Sequence, residues 1–236
     1  DFFSDPPSED VLARPADAVF LGGYSQGGHG AFAGDVMAPR YAPELNIVGV
    51  VGHAIAPDVE GLMCDSPLYA PYIVHAYRAY YGEQIINPHD LFQEPWMATF
   101  ERDVTMCIDD ALGYYPNTHE SMYTPRFREA LQHDRLAVEF PEFKAMLDLN
   151  YSGREVNPST PAIILHGDAD PIVQLRTVEP FVRRLCEENK SVTYRVYPAV
   201  NHFTIRQYSH MDSLAWMADR LAGNAAASDC GLLLQP

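Results

Sequence analysis

The chain has 236 residues, enough for one large domain with a substantial core. Hydrophobic residues make up 47% and charged ones 20%, with no low-complexity tract, which excludes a disordered chain. Thirty-two acidic against sixteen basic residues leave a formal charge of −16, the wrong sign for a phosphate backbone, so no nucleic-acid partner is expected. No apolar run reaches the roughly 18 residues of a membrane span, so stable membrane insertion is not expected. The opening DFFSDPPSED has neither the basic start nor the apolar centre of a targeting segment. Only Lys144 and Lys190 among the sixteen cations are lysines, which suits high salt and an exported enzyme equally.

The run from Asp17 through Ala-Val-Phe-Leu is apolar and breaks at glycines, the pattern of a strand buried on both faces of a parallel sheet. Gln26 to Met37, rich in alanine and glycine, predicts a helix stopped by Pro39. Asn46 to Ala56 predicts a second buried strand. From Pro57 to Pro158 the rhythm changes: most tyrosines and many prolines collect there, with short helical patterns such as Tyr72 to Tyr81 and Phe127 to Leu136. This interval reads as a mostly helical cap between the second and third strands, and insertions of that length are usually lids or binding walls. Strand patterns return at Ala162 to Leu165 and Val192 to Tyr197. Helices are expected at Val178 to Glu188 and Ser213 to Leu221. Such alternation predicts an α/β sheet with right-handed crossovers. The expected divisions are 1–56 for the first part of the core, 57–158 for the cap and 159–236 for the rest of the core.

Gly23-Tyr24-Ser25-Gln26-Gly27 fits G-x-S-x-G, with a strand before it and a helix after it. A serine on so sharp a turn is lifted clear of the sheet in a strained backbone conformation. Gly23 and Gly27 are expected to be glycines because side chains there would strike neighbouring backbone, and Gly28 to let the helix pack closely. The Gln26 amide, at the helix N-terminus, is the expected oxyanion donor. A serine nucleophile needs a base and an orienting acid, which in enzymes with this elbow follow in the order acid, histidine, each after a strand's carboxyl end. Asp168 and Asp170 follow the third strand and His202 follows the fourth. Asp170 fits the acid position through its Asp-x-x-Val phrase, and Asp168 is expected to brace the turn. His29 and His53 are read as structural, His166 as a donor to the acid loop, and His75, His89, His119 and His133 as cap residues. His210, the one competitor for His202, falls inside the following helix.

Cys64, Cys107, Cys186 and Cys230 lack metal-site spacing, so no metal is expected. Pairing within each region of the chain predicts disulfides Cys64–Cys107 and Cys186–Cys230, with buried free thiols as the alternative.

GGYSQGG, the segment Tyr41-Ala-Pro-Glu-Leu-Asn-Ile-Val-Gly and Ala56-Pro-Asp-Val together resemble the secretory lipases of fungi and bacteria, within the α/β-hydrolase superfamily. The likeness covers the elbow, the second strand and the acid and histidine loops; across the cap it is one of length and helical character. Cutinases share GYSQG but lack a cap of this size. The resemblance implies the α/β-hydrolase fold and hydrolysis of lipid or small-molecule carboxylic esters, with the acyl chain beneath the cap. It also implies an exported location, secreted or periplasmic. Ser25, Asp170 and His202 would act by two-step acyl transfer with no cofactor. A serine peptidase or acyltransferase with the same triad is the alternative within enzymes, and a non-catalytic hydrolase-like binding domain the alternative outside them.

One departure is large. Complete α/β hydrolases place roughly a hundred or more residues ahead of the serine, forming the first strands and the loop that gives the second oxyanion amide. Nothing in the first sixteen residues is long or apolar enough for that, so a preceding segment, a second chain or a partner protomer is expected along the elbow strand's other edge. Among the cap residues Leu68, Tyr69, Tyr72, Ile73, Tyr77, Leu91, Phe92 and Trp96, some are expected to pack the cap and the rest to wall an acyl pocket.

Overall fold

Among the described residues four parallel strands lie side by side in chain order: β1 (Ala18–Tyr24), β2 (Asn46–His53), β3 (Ala162–Gly167) and β4 (Val192–Tyr197). The structure, a computed structural model, describes residues 17–235, so the expectation about the first sixteen residues lies outside the described part. Parallel neighbours need crossovers, and two of these are single helices: α1 (Gln26–Tyr41) between β1 and β2, and the later helix Leu175–Glu187 between β3 and β4.

Between β2 and β3 come ten α-helical segments and two 3-10 turns, Pro67–Tyr69 and Glu83–Ile85. The α-helices are α2 (Val59–Asp65), α3 (Ala70–Tyr81), α4 (Pro88–Leu91), α5 (Glu94–Met97), α6 (Phe100–Asp103), α7 (Ile108–Tyr114), α8 (His119–Met122), α9 (Pro125–Gln132), α10 (Leu136–Glu139) and α11 (Pro141–Leu149). The crossover after β3 is then α12, and α13 (Ile205–Leu221) and α14 (Cys230–Leu233) close the chain. α13 takes in the polar stretch from Arg206 to Asp212 ahead of its apolar part, so it begins well before the expected Ser213.

Side chains alternate across a strand, which gives the sheet two apolar faces. Val50, Ala162, Ile164 and Val192 pack against Phe32 of α1 and Phe181 and Leu185 of α12. Val51, Ile163 and Leu165 turn the other way and meet Trp216 of α13. All six residues of β3 are buried. β1 is not: expected to be buried on both faces, it is half-buried with Gly22 exposed, since among the described residues it pairs only with β2.

Pro39 does not stop α1, which runs on to Tyr41. A proline removes the hydrogen bond to the carbonyl four residues back, here that of Asp35. Asn157 replaces the lost donor, its Nδ2 lying 3.2 Å from that carbonyl. The Asp35 carboxylate is buried beside Lys190 Nζ at 2.7 Å, and Lys190 also donates to the Asn157 carbonyl at 2.7 Å. This buried group ties α1 to the segments entering β3 and β4.

The cap has its own core, in which Phe127 packs against Tyr123, Phe140 and Phe143. Polar bonds fasten it to the sheet. Asp65, at the end of α2, accepts from the Gln174 N–H at 3.0 Å and the Thr177 hydroxyl at 2.7 Å, and pairs with Arg176, so it holds the start of α12. Ser66 donates to the Ile172 carbonyl at 3.0 Å.

Cys186 and Cys230 form the expected disulfide. Beside it the chain's last turn covers β4: the Asp229 N–H donates to the Val192 carbonyl and its carboxylate accepts from the Tyr194 N–H, both at 2.8 Å. The expected Cys64–Cys107 bridge is absent. Cys64 is half-buried on α2 against the cap core, Cys107 is exposed ahead of α7, and both are free. Nearness in sequence carries little weight in a region assembled from many short turns.

Candidate active site

Ser25 sits between β1 and α1 with φ 54° and ψ −120°, a left-handed conformation that costs a non-glycine residue about 1–3 kcal/mol. Its N–H donates to the His53 carbonyl at 2.9 Å, so β2 holds the turn in place. A Cβ on Gly23 would lie 2.0 Å from the Gly27 backbone, so Gly23 must be glycine. Gly27 differs from expectation: a Cβ there meets nothing within 4 Å, because it points outward into the open space above the turn. The collision is one-sided. Gly28 is needed instead, since a Cβ would lie 2.3 Å from Ile55 Cγ2 where α1 packs beside the end of β2. Gln26 is the first residue of α1, so its N–H has no intrahelical acceptor and lies at the positive end of the helix dipole.

The acid and histidine loops leave the ends of β3 and β4. A Cβ on Gly167 would stand 2.0 Å from the Val200 carbonyl oxygen, so the two loops meet backbone to backbone only because residue 167 has no side chain. Asp170 Oδ1 accepts from the N–H groups of Ile172 at 2.8 Å and Val173 at 2.9 Å, which fixes the carboxylate. Its Oδ2 is 2.7 Å from His202 Nδ1. A carboxylate only accepts, so Nδ1 carries the hydrogen and Nε2 presents a lone pair. That Nε2 lies 3.0 Å from Ser25 Oγ. His202 is 3% exposed and Asp170 5%, so the pair lies shielded from bulk water.

Asp168 does not join this chain; it accepts from the Ala199 N–H at 2.6 Å and braces one loop against the other. His166 is wholly buried and donates from Nε2 to the Val173 carbonyl at 2.8 Å. Burial pushes its pKa down, so it is a neutral strut beneath the acid loop. His53 bonds Ser209 at 2.8 Å, and His210 lies on α13.

Two contributors escaped the sequence reading. Tyr24, the variable residue of the elbow, donates its hydroxyl to the His202 carbonyl at 3.0 Å, and the two rings lie 5.0 Å apart. The Arg206 guanidinium stands 4.6 Å over the Tyr24 ring. Gly167 is the other; a glycine directly after the apolar run Ala162 to Leu165 and His166 was its only signal.

Above Ser25 opens a cavity of about 850 Å³ between sheet and cap. Tyr69, Tyr72, Ile73 and Tyr77 wall it, together with Val59, Leu62 and Leu112. Leu68, Leu91 and Phe92 are buried in the cap's own core instead, with Trp96 packed against it. The eight apolar cap residues thus divide between packing and cavity wall.

A doubly covered parallel sheet, a serine on a strained strand-to-helix turn and a helical cap over it define the α/β-hydrolase fold. The architecture is similar to that of Candida antarctica lipase A, with a TM-score of 0.71 at 21% identity over 91% of this chain and 51% of that one. It is also similar to the rice cell wall degrading esterase LipA from Xanthomonas oryzae, with a TM-score of 0.67 at 21% identity over 88% and 57% of the two chains. In sequence, the chain is 25% identical over 233 residues to Lipase A of Arthroderma benhamiae, covering 92% of this chain and 46% of that protein. Residues 8–229 match the Secretory lipase family, and the chain belongs to it. It spans about half the length of these relatives.

Proposed function

We propose that this chain carries the catalytic triad of a carboxylic-ester hydrolase, acting through a covalent acyl-enzyme on lipid or small-molecule esters. The observation that carries the reading is the chain of hydrogen bonds from Ser25 Oγ to His202 Nε2 (3.0 Å) and from His202 Nδ1 to Asp170 Oδ2 (2.7 Å) at the foot of an apolar cavity. Ser25 Oγ attacks the ester carbonyl carbon while its proton passes to His202 Nε2. Asp170 holds the imidazolium, and the Gln26 N–H donates to the oxyanion. Collapse expels the alcohol, which takes the proton from His202. Water then gives a proton to His202 and attacks the acyl carbon, releasing the acid and restoring Ser25. Family membership supports ester hydrolysis and an exported protein. Among the described residues no helix is long and apolar enough to cross a membrane.

The same reading extends to the sheet edge. β1 pairs on one side only among the described residues, and the helices on its two faces leave Met37, Tyr41, Met211 and Leu214 exposed. A further strand, from another segment or another protomer, fills that edge and brings a second oxyanion donor with it. The test of the catalytic reading is Ser25→Ala. Hydrolysis of nitrophenyl esters is expected to fall on the order of 10⁴-fold or more with an unchanged unfolding temperature, and fluorophosphonate labelling to disappear. Substantial hydrolysis by the variant overturns it.

A further inference from the structure

Two polar side chains in the cavity wall are locked with their acceptors uncommitted. His29 lies one helical turn beyond Ser25 on α1, so the two share a helix face. Its Nδ1 is 3.0 Å from the Ala56 carbonyl, which can only accept, so Nδ1 carries the ring hydrogen. Burial lowers the pKa of the ring and keeps it neutral, which leaves Nε2 a bare lone pair. Asn150, just past α11, is fixed in the same manner. Its Nδ2 donates to the Met146 carbonyl at 2.8 Å and to the Tyr81 hydroxyl at 2.9 Å, so Oδ1 is the end left over.

Both residues line the cavity. Among the described residues neither His29 Nε2 nor Asn150 Oδ1 has a protein partner, and neither is sealed from solvent as the Tyr77 hydroxyl is. The wall is stiff between them. Ser152, two residues past Asn150, has its Oγ 3.0 Å from His29 Nδ1 and donates its N–H to the Pro57 carbonyl at 2.9 Å. Nor can the Tyr72 hydroxyl supply the missing donor, because it is engaged with the Met106 carbonyl at 3.1 Å. An all-methylene acyl chain pressed against this wall would strip water from two acceptors and return nothing, whereas a hydroxyl would satisfy one of them.

We propose that the cavity selects hydroxylated acyl groups, whose O–H donates to His29 Nε2 or Asn150 Oδ1, over unsubstituted acyl groups of equal length. The inference rests on the ester-hydrolase reading for its substrate class, and binding tests it independently of turnover. Calorimetry on the full natural polypeptide carrying Ser25→Ala would compare methyl decanoate with its monohydroxylated analogues, hydroxyl at each position from C2 to C8. At least one isomer is expected to bind about 3- to 10-fold tighter than the plain ester, the worth of one neutral hydrogen bond. That ratio should fall to about 1 in His29→Phe or in Asn150→Leu. The two variants lie on separate segments, and thermal unfolding identifies which of them folds. Equal binding of every isomer and the plain ester, a preference that survives both substitutions, or no binding of any ester overturns the proposal. Failure of the hydrolase reading shows separately, as wild-type protein that fluorophosphonate does not label.

Discussion

The sheet and the cap bury apolar surface in opposite ways. The sheet divides its core into two thin layers, and its strands end in loops whose backbone is fixed atom by atom: Ser25 at φ 54°, Gly23 against Gly27, Gly167 against Val200. The cap gathers one aromatic cluster around Phe127 from helical turns, several of them four residues long and too short to form alone. The two regions are fastened by directional polar bonds, chiefly those of Asp65. Chemistry dictates backbone positions in the sheet. The cap has only to keep its apolar mass, its fastenings and its cavity wall, so many sequences can build it.

If the regions are that separate, damage to each should have a different signature. The largest stability effect is expected from Phe127→Ala in the cap core, about 3–5 kcal/mol by thermal or urea unfolding. Fluorophosphonate labelling of Ser25 should survive it below the transition, since no triad residue touches Phe127; labelling lost in parallel would dissolve the distinction. Gly167→Val attacks the sheet side. With a Cβ 2.0 Å from the Val200 oxygen the loops must part, and a fall in kcat of about 100-fold is expected. A fully active variant would show that the acid and histidine loops are less constrained than their geometry indicates.

Asp65→Ala probes the fastening itself. It strips the Gln174 N–H and Thr177 hydroxyl of their acceptor, for an expected loss of about 2 kcal/mol in unfolding free energy. No change would place the cap's attachment elsewhere. The smallest effect comes from pH. Burial depresses the pKa of His29 and His166, so the unfolded chain takes up protons that the native state refuses. Stability from these residues is full above about pH 6.5 and falls as the pH drops below it, by at most about 1.4 kcal/mol per pH unit for each proton. Half-buried Asp58 and Glu60, whose pKa values burial raises, act the other way, so the sign is checked by difference. Between about pH 7.5 and 5.5 the urea midpoint of the protein should fall relative to that of His29→Gln, and a relative rise would refute it.

What could be read from the sequence follows the same division. The Gly-Tyr-Ser-Gln-Gly turn, the Asp168-Ala-Asp170 loop and His202 were legible because each needs a particular residue at a particular point of the backbone. Val192 to Tyr197 was legible as a strand because its neighbours are turns. The run of α1 through Pro39 was not, because the compensating donor, Asn157, lies more than a hundred residues away. The free state of Cys64 and Cys107 was hidden for a related reason: the cap's path is set by many short turns with no period to read. Gly27 was misread because the elbow pattern does not say which of its two glycines strikes the other.

The bridge between Cys186 and Cys230 spans 44 positions and encloses His202, while Ser25 and Asp170 lie outside the ring. Closing a loop of that length restricts the unfolded chain by about 4 kcal/mol on the chain-entropy account. It also changes what proteolysis can do. A cut anywhere from 187 to 229, including the exposed stretch 222–225, leaves the two pieces covalently joined, with the histidine still tethered to the body that holds the serine and the acid. Survival of the site after nicking is therefore governed by the redox poise of the surroundings.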